Sequence, residues 1–162
     1  MDLARLQPNT FTSRLCEHPP EVLWPVLSDP RLLPDLSSEL QAVHLSTDVV
    51  ERGTVFTGDQ LRGERRWTTT STVTGFEPPV FFEWTVGDLS HPVSRWSFLV
   101  DREAGVTTVT HRVVLCGGPS PIGDRIAAHP DEAEAIVVER LLVLRDRMGV
   151  TLDGLLGLVD AR

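Results

Sequence analysis

The chain has 162 residues, 41% of them hydrophobic, and carries 15 basic and 23 acidic side chains for a formal net charge of −8. That length suits one domain, residues 1–162, with room for a real core. The acidic balance excludes sequence-independent nucleic-acid binding, which needs a basic surface. All 15 basic residues are arginine and tyrosine is absent, so neither a Schiff-base amine nor a phenol is available as a catalytic group.

The first expected element is a strand with Phe11 and Leu15 at apolar spacing, running into Pro19-Pro20. Proline fits the first turn of a helix, and a short helix is expected to carry Val22, Leu23, Val26 and Leu27 toward a core. Ser28-Asp29-Pro30 ends it and starts a second short helical turn, with Asp29 as the capping residue. Strands are then expected over 40–48, 54–61 and 64–77, the last two joined by a tight turn at Arg62-Gly63. The run Thr68, Thr69, Thr70, Thr72, Thr74 favours an extended backbone because its side chains branch at Cβ. Pro78-Pro79 interrupts the ladder, and strands resume over 80–86, 93–101 and 106–115, the last two joined by Glu103-Ala104-Gly105. Seven strands follow, largely antiparallel, because the connections are too short for crossovers.

Residues 116–130 are rich in Gly and Pro, with a short helical piece at 122–128; whether they act as a lid is open. From Asp131 the period changes. Val137, Leu141, Leu144, Met148, Leu152 and Leu155 recur at steps of three and four, which predicts an amphipathic helix. Glu132, Glu134, Glu139, Arg140, Arg145, Asp146 and Arg147 fall largely on its other face. Gly149 and Gly154 lower helix propensity, so a kink or early fraying is expected there.

Pro20-Glu21-Val22, Trp24, Leu27-Ser28-Asp29-Pro30, Gly53-Thr54, Phe82-Glu83-Trp84 and the run from Gly105 to Thr110 occur in an order that resembles the START-like (SRPBCC, Bet v 1-like) superfamily, in particular its polyketide cyclase/dehydrase and lipid transport branch. Each motif is degenerate alone; their order is fairly specific, and it covers nearly the whole chain. The resemblance implies an α+β helix-grip fold. In it a curved seven-stranded antiparallel sheet wraps around a long C-terminal helix, two short helices follow the first strand, and a cavity lies between sheet and helix.

Strand alternation assigns the faces. Phe82 and Trp84 share one face, as do Trp96 and Phe98, as do Val109 and His111, and Phe56 aligns with the face of Trp67. If these sets face the long helix, Phe56, Trp67, Phe82, Trp84, Trp96, Phe98, Val109, His111, Leu144 and Met148 are candidate ligand-binding residues. Aromatics with a few polar groups are usual in small-molecule pockets. Ordinary core filling explains any one of them equally well.

His111 is the candidate catalytic group, since an imidazole among Val109, Val113 and Leu115 is expected to have a lowered pKa and stay neutral. A satisfied core histidine is the commoner outcome. Arg65, on the Trp67 face, is the candidate oxyanion partner, and a rim ion pair is its commoner role. No metal-ligand spacing occurs among His18, His44, His91, His111 and His129, so no metal and no cofactor are expected. No G-x-S-x-G elbow is present, and Cys16 and Cys116 are expected to be free thiols.

Three functions fit. One is binding of a hydrophobic small molecule such as a lipid or polyketide-like metabolite. The second is a polyketide aromatase/cyclase or dehydratase using acid/base residues in that cavity. The third is a protein-interaction module, with a homodimer left open. No apolar run approaches a bilayer span and the opening MDLARLQPNTF has no charged-then-apolar leader, so the expected location is the cytoplasm.

Overall fold

The computed structural model describes residues 1–162. Helix α1 (Leu3–Leu6) precedes strand β1 (Asn9–Cys16), and α2 (Pro20–Leu27) follows it. Two 3-10 turns come next, Pro30–Leu32 and Pro34–Leu36. Strands β2 (Leu40–Leu45), β3 (Val55–Arg62), β4 (Arg65–Glu77), β5 (Phe81–Val86), β6 (Ser94–Glu103) and β7 (Val106–Leu115) then run in series. Helix α3 (Pro121–Ala128) leads to the 28-residue α4 (Ala133–Asp160). All neighbouring strands are antiparallel, in the order β1-β7-β6-β5-β4-β3-β2. The first strand closes on the last, and the rest form a meander. This is the helix-grip architecture.

The punctuation expected from proline holds. Pro20 opens α2, and Asp29 caps the turn at Pro30 by accepting a hydrogen bond from the Arg31 amide at 3.1 Å. Leu23, Val26 and Leu27 are buried while Val22 stays exposed. Trp24 anchors α2, standing edge-on to Phe76 and Phe82 at centroid separations of 5.5 and 6.3 Å.

The two large apolar side chains of the opening strand face outward. Phe11 and Leu15 are 58% and 71% exposed, and the half-buried residues are Thr10, Thr12, Arg14 and Cys16. Helix α4 crosses β1, and Arg14 reaches up to it, donating from Nε to Asp153 Oδ1 at 2.8 Å.

A bulge between Val73 and Gly75 makes a second departure. Simple alternation along β4 would turn Phe76 outward from Trp67 and Val73. The extra residue shifts the phase, so Phe76 pairs with Phe82 and joins the inner face.

Gly149 and Gly154 produce no break in α4, which is continuous from Ala133 to Asp160. Their role is close approach. A Cβ on Gly149 would sit 2.8 Å from Arg14 Nη2, and one on Gly154 would collide with the Leu36 side chain. Glycine therefore sets how near the helix comes to β1 and to the turn at Leu36.

The core is in two parts. One gathers Leu23, Val26, Leu27, Phe82, Phe98, Val109, Leu152, Leu155 and Val159 under α2 and the end of α4. The other gathers Leu3, Val113, Leu115, Ile126, Ile136, Val137, Leu144 and Met148 around α1, α3 and the start of α4. Trp96 packs against both. Cys16 and Cys116 are free thiols, at opposite ends of the β1–β7 ladder, where Cys16 pairs with Thr107 and Asn9 with Val114.

Candidate functional site

Between the two core parts lies a cavity of about 570 Å³, with walls from both. Phe56, Trp67, Trp84 and Trp96 contribute from the sheet, and Leu144 and Met148 from α4. Ser120, Pro121, Ile122 and Arg125 border it from the segment around α3.

Phe82, Phe98 and Val109 share the inner face, as expected, but do not line the cavity. They lie where α2, Leu152, Leu155 and Val159 close directly on the sheet, and they are sealed. Alternation tells which face a side chain takes. It does not tell where along the strand a helix comes down.

His111 sits on the cavity wall at 3% exposure. Its ring stacks on Phe98 with centroids 4.1 Å apart and planes 16° off parallel, and Trp96 and Trp84 stand 5.8 and 6.1 Å away. Nδ1 lies 2.9 Å from the carbonyl oxygen of Ser97. A carbonyl only accepts, so Nδ1 carries the hydrogen and Nε2 keeps its lone pair. No buried side-chain nitrogen or oxygen lacks a partner, and Nε2 has none from the protein, so Nε2 opens to the cavity. Burial lowers the imidazole pKa from 6.5 to about 4, against a smaller upward pull from the Ser97 hydrogen bond. The ring is neutral at pH 7.

Arg65 lines the cavity at its exposed rim, its guanidinium 5.6 Å from the centre of the Trp67 ring. Arg62, its partner across the hairpin, stands at the same 5.6 Å. His111 belongs to the cross-strand row of Phe98, Phe82 and Phe76, and Arg65 lies at the opposite end of β4 from Phe76. The exposed arginine and the buried histidine are not brought together as a catalytic pair.

The charged group that sequence reasoning missed is centred on Glu39. Its side chain is 14% exposed, and Arg62 donates to it from Nε at 2.8 Å and from Nη2 at 3.3 Å. Arg147 also donates to it, and Arg140 Nη2 stands 3.9 Å away. Burial pushes the Glu39 carboxyl up, but the hydrogen bonds from Arg62 and Arg147 outweigh that and hold it below the usual carboxylate range. All four residues line the cavity. Glu39 and Arg147 are 108 residues apart, so no local pattern joins them. The one available signal was the seven-residue step from Arg140 to Arg147, which returns to the same helix face after two turns. Both side chains border the cavity, Arg140 at 26% exposure and Arg147 at its rim at 42%.

No three side chains among His, Cys, Asp and Glu converge as a metal site requires. No helix is long and apolar enough to cross a membrane.

A curved antiparallel sheet gripping one long helix, with an aromatic cavity between them, defines the helix-grip class of cavity proteins. Residues 11–141 match the family described as Polyketide cyclase / dehydrase and lipid transport, and the chain belongs to it. Among solved structures the chain is similar to the Zhui aromatase/cyclase from Streptomyces sp. R1128, at 15% identity and a TM-score of 0.65, covering 96% of this chain and 95% of that one. The Polyketide_cyc-like protein Cgl2372 from Corynebacterium glutamicum gives 22% identity and a TM-score of 0.62, covering 91% and 88%. TTHA0849 from Thermus thermophilus gives 15% and 0.62, covering 95% and 98%. At these identities the likeness establishes the fold. Among curated proteins, none matches the chain in sequence.

Proposed function

We propose that the protein binds a hydrophobic small molecule, a lipid or polyketide-like metabolite, in the cavity between the sheet and α4. One observation carries this reading: Phe56, Trp84 and Trp96 present their rings to an open volume of about 570 Å³ and not to packed neighbours alone. That volume falls within the roughly 300–1,000 Å³ of ordinary ligand pockets. The test is native mass spectrometry of the protein as purified, with organic extraction, followed by titration with aromatic and fatty probes. A one-to-one adduct that is lost in Thr69→Trp, which fills the cavity from a half-buried wall position, supports the reading. Absence of any adduct across the panel overturns it.

A second reading, catalysis of a cyclase or dehydratase type, is favoured by the accepting Nε2 of His111 on the cavity wall. There Nε2 would take a proton from the carbon beside a ligand carbonyl, leaving an enolate. The magnitude argues against it. With a pKa of about 4 in place of 6.5, the buried imidazole is a much weaker base than a free histidine. Nε2 is better suited to accept a hydrogen bond from a ligand hydroxyl. An enzyme would lose turnover and keep affinity in His111→Ala; a binding protein would show no turnover to lose.

A further inference from the structure

The protein is acidic, with a formal net charge of −8, yet its cavity is lined by five arginines and only two glutamates, Glu39 and Glu139, a local balance of +3. Glu139 is engaged with Arg125 at 3.3 Å. Glu39 therefore faces Arg62, Arg140 and Arg147 as their single carboxylate, and its oxygens already accept from Arg62 and Arg147. Arg140 is left over. Its nearest contact to Glu39 is 3.9 Å, it donates no hydrogen bond to any protein group, and its side chain is only 26% exposed. A half-buried guanidinium beside two others is unfavourable without an anion to complete it.

From this geometry we infer that the ligand is an amphipathic carboxylate, its apolar body against Trp84 and Trp96 and its carboxylate on Arg140. The inference rests on the binding function proposed above. A planar guanidinium matches a carboxylate in a two-pronged contact. Burial and the neighbouring Arg62 and Arg147 lower the Arg140 pKa, and a bound carboxylate removes that stress. Arg140 and the two indoles border one cavity, so a single small molecule can touch both ends.

The test compares 2-naphthoate with uncharged 2-naphthylmethanol by calorimetry at pH 7. The expected result is tenfold or tighter binding of the carboxylate, with that advantage reduced by added salt. Arg140→Gln should abolish the advantage while leaving the alcohol's affinity within about twofold. Glu39→Gln should move the carboxylate the other way, tightening it several-fold by removing the competing anion. Equal affinity of the two probes in the unaltered protein, or an undiminished advantage in Arg140→Gln, overturns the inference and leaves hydrophobic binding standing. Failure of both probes to bind, at concentrations well above millimolar, overturns the binding function and this inference with it.

Discussion

Trp84 and Trp96 stand directly opposite each other on β5 and β6, their rings 5° from parallel and their centroids 6.2 Å apart. Both border the cavity, so a ligand laid against one indole is felt by the pair. Intrinsic fluorescence should be blue-shifted in the folded protein and respond to a bound probe. Trp96→Phe should retain the fold, weaken an aromatic probe several-fold and remove much of that response. Emission typical of fully hydrated tryptophan in the native protein would contradict the arrangement.

The buried imidazole of His111 makes stability depend on pH. Its folded pKa is about 4 against an ordinary 6.5, so between those values the unfolded chain holds a proton that the folded chain refuses. The contribution is complete above pH 6.5 and is lost as pH falls toward 4, with a limiting slope of about 1.4 kcal/mol per pH unit. Urea unfolding at pH 7 and pH 4.5 should show a smaller loss in His111→Gln than in the parent, by roughly 2–3 kcal/mol. The same loss in both proteins would place the imidazole in water.

Three glycines of α4 should answer differently to alanine. Gly157 has open space where a Cβ would go, so Gly157→Ala should stabilise by about 0.5–1 kcal/mol through helix propensity. Gly154→Ala drives a methyl into Leu36 and should gain nothing or lose stability. Gly149→Ala crowds Arg14 and should cut into the helix gain by disturbing its bond to Asp153. Thermal melts of the three variants would check the order; equal gains at all three would mean that α4 stands farther from β1 and Leu36.

Phe98 and Trp96 lie two residues apart on the inner face of β6 but meet different neighbours. Phe98 is sealed in the core, so Phe98→Ala should cost about 3–5 kcal/mol on urea unfolding. Leu144, on the cavity wall, already borders open space, so Leu144→Ala should cost less than a fully enclosed leucine and enlarge the cavity. Equal and large costs would argue that the cavity closes in solution.

Much of the fold could be read from the chain because its signals are local. Strand alternation put Trp84, Trp96 and His111 on one face, and they share it. Proline placed the ends of α2, and the three-and-four spacing of Val137, Leu141, Leu144, Met148, Leu152 and Leu155 marked the inward stripe of α4, in which Leu141 alone is only half-buried. The neutrality of His111 followed from its apolar neighbours on the same strand.

Other features needed the closed fold. Phe11 and Leu15 turn outward on β1, whose other face meets α4, where Arg14 bonds Asp153, a partner 139 residues away. Phe76 reaches the core only because a bulge shifts the phase of β4. Glu39, Arg62, Arg140 and Arg147 come from a loop, a strand and a helix, and no spacing along the chain announces that they meet. By itself, the sequence determined the strands, most of the helices and the faces of β5, β6 and β7, since periodicity and capping act over a few residues of backbone, and the order of its motifs carried the resemblance to the family. Tertiary structure alone decided which aromatics are sealed and which line a cavity, and which charges gather at it, because those depend on where a distant helix lands on the sheet.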